Sequence, residues 1–599
     1  MKIGSWYLGG NKTRFTVWAP FIEYLGVNIE GQKIPMEKDG KGYWTVMAEA
    51  PPDTLYTFAL DGKMDRPDPA SHYQPHGVHQ PSQVIDHNFE WDDRDWKGIP
   101  LNEMIIYELH TGTFTPQGDF QSIISRLDDL IHLGVNTIEL MPVTQFPGER
   151  NWGYDGAYLF AVQNSYGGPQ GLKTLVNACH QRGMAVILDV VYNHLGPEGN
   201  YLRDFAPYFT DRYKTPWGDA INFDGPYSDE VRNFFIENAL YWFEQFHVDA
   251  LRLDAIHGIY DLSPRPFLEE LAQSVDELSK EMGKKFYLIA ESDLNDVKVI
   301  RPREVGYGIH AQWNDDFHHS LHALLTGERQ GYYQDFGTVE HLAKALREGF
   351  VYSWQYSKYR KRRHGSSSQD RPAHQFVVFS QNHDQVGNRL LGDRLSTLLP
   401  FEALKLVAGA VILSPNVPLL FMGEEYGEES PFLYFISHTD PELVQAVREG
   451  RREEFSAFDW GEELPDPYSE ETFSKCKLRW DKREEGRHKT LYDFYKELIK
   501  LRKQIPALYH LSKEDMEVRG EGTIICERRW HESDEVLRIM NFGSQEVTTD
   551  FDLQGEWNKA LDSCEEKWGG KGSPIPADIG EKQVLNIAPF NFVVYRKVM

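Results

Sequence analysis

The chain has 599 residues, with 63 Lys and Arg against 91 Asp and Glu and a formal net charge of −28. That balance repels phosphate backbones and anionic lipid, so no nucleic acid and no membrane is expected as a partner, and a neutral substrate suits the surface better. Aromatic residues make up 13% and charged residues 26%, which excludes a disordered chain and leaves a globular one with ample material for a large core.

Residues 1–95 carry short strand-like runs, RFTVWAP, LGVNIEG, GYWTVMAEA and LYTFALDG, parted by Gly, Pro and Asp turns. They predict an N-terminal β-sandwich. The opening MKIGSWYLGG has no apolar signal-peptide core, and no stretch of about 18 apolar residues follows, so nothing is expected to span a membrane. Cys179, Cys476, Cys526 and Cys564 lack metal-type spacing and read as reduced thiols of a cytoplasmic chain.

Residues 96–508 differ. Eight apolar runs follow in order: MIIYELH (104–110), TIELMPV (137–143), AVILDVVYN (185–193), DALRLDA (249–255), FYLIAES (286–292), AQWNDDF (311–317), FVVFSQNHD (376–384) and PLLFMGEE (418–425). Helix-like stretches precede most of them. In SDEVRNFFIENALYWFEQF, Ser228 is the expected N-cap, with Asp229 and Glu230 in the first turn. Val231, Phe234, Phe235, Ala239, Trp242, Phe243 and Phe246 form its apolar stripe. Eightfold alternation of strand and helix predicts an α/β fold, a parallel (β/α)8 TIM barrel. The basic run KYRKRRHG (358–365) reads as a solvated loop. Residues 509–599, with TIICERRW, VLRIMNFG, EVTTDFDL and FNFVVYRK, predict a C-terminal all-β domain.

Polar residues gather where these strands end: His110, then Asp189, Asn193 and His194, then Arg252 and Asp254, Glu291, Asp315 and Asp316, His383 and Asp384, and Glu424 and Glu425. The C-terminal rim of such a barrel is where loops build a site. In HVDALRLDAIHG, strand alternation puts Arg252 and Asp254 on one face. A guanidinium beside an aspartate lowers its pKa by ~1–3 units, so Asp254 is expected to be ionised. From this stretch alone a structural ion pair is an equal reading; beside Glu291 and Asp384 on other strands it recedes. The apolar approach FYLIAES favours a protonated Glu291. Two carboxyl groups in different protonation states are what glycoside cleavage uses.

DVVYNHLG (189–196), ALRLDAIH (250–257), LIAES (288–292) and FSQNHDQ (379–385) resemble the four ordered signature regions of the α-amylase family of glycoside hydrolases. The resemblance implies Asp254 as nucleophile, Glu291 as acid/base and Asp384 as transition-state stabiliser. It implies sugar contacts from Arg252, His194 and His383, an aromatic platform from Tyr154 in NWGYDGAYLF, and a supporting Asp189. His257, Gln385 and Asn388 fall in or beside the same motifs and are added as substrate contacts. Asn193 matches a calcium ligand of true α-amylases, but no partner ligands are visible; no metal and no cofactor is expected. YELHTGTFTPQGDF, QWNDDFHHSLHALLTGERQGYY, QNHDQVGNR and FMGEEYGEESPFLYFISHTDPELVQAVREGRREEF resemble the branch of that family that frees trehalose from a malto-oligosaccharide end. A malto-oligosaccharide with a trehalosyl end is then the implied substrate, cleaved with retention, and malto-oligosyltrehalose synthase a possible pathway partner. Asp315, Asp316, His318, His319 and Glu424 are the expected contacts to the trehalose, with Glu425 near and the FLYF segment (432–435) supplying aromatic surface. The leading sandwich resembles a carbohydrate-binding module. A branching, debranching or amylolytic enzyme, and a non-catalytic carbohydrate-binding barrel, remain the alternatives.

Overall fold

The computed structural model describes residues 2–455, 464–551 and 553–598. Its centre is a closed barrel of eight strands, Ile106–Leu109, Thr137–Leu140, Ala185–Val190, Ala250–Leu253, Tyr287–Ala290, Ala311–Trp313, Phe376–Val378 and Val417–Phe421. Each pairs in parallel with the next, and the first closes on the last. All eight expected runs are therefore barrel strands, including the sixth and seventh.

The strands read as nearly continuous apolar runs because both faces are buried. Outward residues such as Ile138, Leu140, Leu188, Leu251, Leu253 and Leu288 pack into the main core. Inward residues Ile106, Ile187, Ala250, Ile289, Ala311, Val377 and Leu419 form a separate apolar plug. The helix Ser228–Phe246 buries all seven residues of its stripe. Its N-cap is Tyr227 rather than Ser228: a turn closed by Ser228 N–H on the Gly225 carbonyl brings the chain in through a left-handed Tyr227, so Ser228 is already helical.

Before the barrel, a sheet of Gly4–Tyr7, Lys12–Trp18, Tyr43–Glu49 and Glu37–Lys38 faces a second sheet of Gln32–Pro35, Leu25–Ile29, Leu55–Leu60, Met64–Arg66 and Ser82–Gln83. Phe15 of one meets Tyr56 of the other edge-on at 4.8 Å, as sandwich packing requires. After the barrel, Met516–Glu521, Ile524–His531, Asp534–Asn541, Asn591–Lys597, Trp557–Asp562 and Asp578–Ile579 form an antiparallel sheet, beside a pair of Val547–Phe551 and Gln583–Ile587. Residue 552 of the run EVTTDFDL lies outside the described residues.

The basic run exposes Lys358, Lys361, Arg362 and Arg363 to solvent, but it is a hairpin rather than an irregular loop. Strands Ser353–Ser357 and Arg362–Gly365 pair as a hairpin. Arg360 Nη1 donates to Asp293 Oδ2 at 3.0 Å and His364 Nε2 lies 2.8 Å from the Asp293 carbonyl, pinning it beside the fifth strand. The four cysteines are free thiols. Among the described residues no helix is long and apolar enough to cross a membrane.

Candidate active site

Inside each strand every second residue points to the barrel axis. Along those inward rows polarity changes from bottom to top: Ile106 then Glu108, Thr137 then Glu139, Ile187 then Asp189, Ala250 then Arg252 and Asp254, Ile289 then Glu291, Ala311 then Trp313 and Asp315. An apolar plug thus closes the bottom, and charged groups crowd the C-terminal mouth.

Arg252 is the hub. It is fully buried, and its Nη1 donates at 2.8 Å to both Asp254 Oδ1 and Asp189 Oδ2. Its guanidinium lies 4.3 Å over the Trp313 ring, and Nη2 is 3.7 Å from Glu291 Oε2. Asn193 Nδ2 donates to Asp254 at both Oδ2 and the main-chain oxygen, each at 2.7 Å. Burial alone would raise the Asp254 pKa; Arg252, His194 and Asn193 outweigh it and hold the carboxyl below its usual range. Glu291 goes the other way. Burial, aided by the Asp254 charge and opposed by Arg252, pushes it up to about 7. Its Oε2 accepts from Ala255 N–H at 2.5 Å, leaving Oε1 to carry the proton. Ala255 itself takes a φ of 36°, a left-handed conformation costly for a residue with a Cβ.

A second chain of bonds fixes the other wall. Glu108, inward on the first strand, accepts from His383 Nδ1 at 2.5 Å and from its main-chain N–H at 3.0 Å. Tyr154 OH is 2.6 Å from Asp189 Oδ2 and 2.7 Å from His383 Nε2. A phenol has one proton to give, so it donates to Asp189 and accepts from Nε2, which makes His383 a donor at both nitrogens. Burial disfavours that cation, but Asp384 and Glu108 outweigh it and push His383 up to about 9. Asp189 itself is raised to about 7 by burial, against the pull of Arg252. Asp384 is half-buried in the short helix His383–Gly387, with Oδ1 3.5 Å from His383 Nε2; Asn382 caps that helix through Gln385 N–H. His194 Nε2 meets the Tyr154 carbonyl at 2.9 Å, and Trp217 stacks on its ring at 4.2 Å and 4°.

Asp254, Glu291, Asp384, Arg252, His194, His383, Tyr154 and Asp189 are therefore brought together. Asp315 joins them: it ends the inward row of the sixth strand, and burial with the charges of Glu291, Asp384 and Asp293 pushes its carboxyl well above its usual range. His257 and Asn388 are exposed and Gln385 half-buried, with Asn388 Nδ2 3.4 Å from Asp384 Oδ1.

Three of the expected trehalose contacts, Asp316, His318 and Glu424, hydrogen-bond to groups of the fold. Asp316 Oδ2 accepts from Asn295 Nδ2 at 2.8 Å and from the backbone N–H groups of Val351 and Tyr352 at 2.7 and 2.9 Å. It follows Asp315 in the helix Asp315–Thr326, where one residue turns the side chain by about 100°, away from the mouth. His318 Nδ1 faces the Ser380 carbonyl at 2.6 Å and Nε2 the Tyr333 hydroxyl at 2.9 Å. His319 is buried against Tyr332 at 4.6 Å and 30°. Glu424 accepts from Ser380 Oγ at 2.6 Å and Tyr495 OH at 3.0 Å, behind the barrel wall, and Glu425 accepts from Tyr107 OH at 3.1 Å. Phe432 and Phe435 of FLYF are fully buried and supply core, not surface; Phe432 stacks on Trp152 at 5.1 Å.

Glu108, Trp217 and Trp313 belong to the site without having been expected there. Glu108 was legible as the residue two beyond the inward Ile106. The more conspicuous His110 is held instead by the Asn151 carbonyl at 2.9 Å and Thr113 Oγ1 at 3.0 Å. Trp217, 53% exposed at the tip of the hairpin Phe209–Thr215 and Gly218–Ile221, carried only the weak signal of an aromatic in a turn. Among the described residues no group of three or more His, Cys, Asp or Glu is placed to hold a metal ion.

A barrel sealed by an apolar plug, opening on an ionised aspartate and a protonated glutamate with one buried arginine between them, has the construction of a glycoside hydrolase. Comparison with known proteins agrees. Residues 83–217 match the alpha amylase catalytic domain family. The chain is 50% identical over 493 residues to the malto-oligosyltrehalose trehalohydrolase of Saccharolobus solfataricus, covering 82% of this chain and 85% of that one. It is 46% identical over 503 residues to that of Arthrobacter ramosus, covering 82% and 87%. A solved Salmonella typhimurium chain, provisionally assigned as an alpha amylase, superimposes with a TM-score of 0.90 at 38% identity, each chain covered in full. The chain belongs to the malto-oligosyltrehalose trehalohydrolase family of α-amylase-type glycoside hydrolases.

Proposed function

We propose that this protein hydrolyses the α-1,4 bond next to the terminal trehalose of a malto-oligosaccharide, releasing trehalose and a shortened maltodextrin. The observation that carries the chemistry is Arg252 set 2.8 Å from Asp254 and 3.7 Å from Glu291, two buried carboxyls whose pKa values are shifted in opposite directions. Glu291 donates its proton to the oxygen of the departing trehalose. Asp254, ionised, attacks the anomeric carbon and forms a glycosyl-enzyme; Glu291, now a base, takes a proton from the water that releases it. Asp384, beside the His383 cation, binds ring hydroxyls more tightly as positive charge develops at the anomeric centre. Tyr154, tied by its hydroxyl to Asp189 and His383, underlies the sugar whose bond is cut, with His194 at its side and the fully buried Arg252 acting through Asp254. The family resemblance implies retention of the α anomer.

The names of the relatives support the trehalosyl end, and malto-oligosyltrehalose synthase is the enzyme whose product has it. Free thiols suit a cytoplasmic setting. On the same footing the chain divides at 1–95, 96–508 and 509–599; among the described residues no sheet crosses those limits.

Chromatography of products from maltopentaose and from its trehalosyl-ended analogue tests the function. Free trehalose from the analogue, with maltopentaose cleaved much more slowly, is expected. Equal rates on both would replace this reading by an amylolytic one, and a change in iodine staining without free trehalose by a branching one.

A further inference from the structure

Glu139 has no task in that scheme, yet it stands inside the barrel directly below it. It is 1% exposed, on the second strand, paired with Glu108 of the first strand and Ile187 of the third, so that Asp189 is the next inward residue above it on the neighbouring strand. Neither Glu139 Oε1 nor Oε2 has a hydrogen-bond partner among the described residues. The same is true of Asp189 Oδ1, Arg252 Nε and Nη2, and Trp313 Nε1. Asp189 and Arg252 face each other across adjacent strands, and Arg252 lies on Trp313, so these atoms share the layer between the apolar plug and the catalytic acids. Acceptors and donors occur together there. Buried polar atoms left alone are costly, and a buried layer with both kinds is where structural water makes its bonds.

We propose that Glu139 is a positioning residue, which through buried water ties the free oxygen of Asp189 to the free N–H groups of Arg252 and so fixes the guanidinium that keeps Asp254 ionised. The proposal rests on the reading of Asp254 as nucleophile. Four charged groups face Glu139: Glu108 from the first strand, Asp189 from the third, Arg252 from the fourth and His383 from beyond the seventh. Burial and the two acids push its carboxyl well above the usual range, against Arg252 and His383. The residue therefore acts as a neutral acid with one proton to donate and one oxygen to accept. An ionised carboxylate here would compete with Asp254 for Arg252.

Two variants of the full chain test this, Glu139→Gln and Glu139→Leu, with kcat/KM for the trehalosyl-ended chain measured across pH. The amide keeps the shape, the neutrality and the donor. It is expected to stay within about twofold of wild type with both limbs of the pH profile in place. Leucine removes the anchor; the loosened guanidinium is expected to lower kcat/KM about tenfold or more and to move the acid limb to higher pH, since Asp254 is then less well held. A structural role alone would lower the melting temperature of the leucine variant and leave its acid limb where it was, which would overturn the proposal. A glutamine variant that moves the limb as leucine does would overturn it too. A high-resolution crystal structure of the wild type gives an answer independent of variant folding: water bridging Glu139 to Asp189 or Arg252 is expected, and a carboxyl bonded to no water refutes the role. Asp254→Asn separates this from the reading beneath it. If that variant keeps normal turnover, the nucleophile assignment falls; if it is inactive while Glu139→Leu keeps the wild-type acid limb, only the role of Glu139 falls.

Discussion

Replacing Glu291 by Gln should make the protein more stable as it makes it inactive, and the gain should grow with pH. In the folded chain the Glu291 carboxyl is raised to about 7 from the ordinary 4.5. As pH rises, the unfolded chain loses this proton first, so folding carries a penalty that starts near 4.5 and is complete above 7. With about 1.36 kcal/mol per pKa unit, the penalty is close to zero at about pH 4, about 2 kcal/mol at about pH 6 and about 3 kcal/mol at about pH 8. The side chain is only 12% exposed, so solvent screens little of it. An amide is never charged, and Glu291→Gln removes the whole penalty. Paired denaturant unfolding of wild type and variant, followed by tryptophan fluorescence at several pH values, should show curves that coincide in acid and separate by about 3 kcal/mol in mild base. The same ionisation must appear in the wild-type rate: kcat/KM should fall as pH rises through about 7, because the acid form is the proton donor. A stability gap that is constant with pH, or one that narrows as pH rises, would refute the argument that burial holds this proton in place.

Asp254→Asn, Glu291→Gln and Asp384→Asn should each lower turnover by orders of magnitude in a folded protein; near-normal turnover in any of them removes that residue from the mechanism. In Glu291→Gln, a substrate with a good leaving group should still label Asp254, and peptide mass mapping should find the adduct in the segment containing LRLDAIHG, persisting because no base activates water. Asp315→Ala should reduce kcat/KM on the trehalosyl-ended chain more than on maltodextrin, by about twofold to tenfold if one neutral hydrogen bond of ~0.5–1.5 kcal/mol is lost, since the buried carboxyl is held protonated; equal losses on both substrates would deny it a part in specificity. Asp316→Ala should act differently, destabilising the fold by about 3 kcal/mol or more through three stranded donors while affecting both substrates alike, as unfolding curves and paired kinetics would show.

The strand-borne part of the site is legible in the sequence alone. A strand alternates with period two, so Arg252 and Asp254 must share a face whatever the rest of the chain does, and four motifs in order on separate strands place Glu291, His383 and Asp384 on the same rim. The eight apolar runs announce the barrel because burial on both faces leaves a mark in the run itself. Tertiary structure decides what depends on phase and on distant partners. Asp315 and Asp316 are neighbours in the chain, but the inward row takes one and the first helical turn carries the other off to bind the backbone of Val351 and Tyr352. His318 and Glu424, acid-and-histidine signals in a linear reading, turn to Ser380 and are consumed there. The basic run 358–365 becomes a pinned hairpin because Asp293, some seventy residues away, meets Arg360 and His364, and Asp335 accepts from the Lys358 N–H. Protonation is the least legible property. Asp254 and Glu291 differ because Arg252 binds Asp254 at 2.8 Å, with Asn193 and His194 beside it, and reaches Glu291 only at 3.7 Å, a difference that exists only once the barrel has closed.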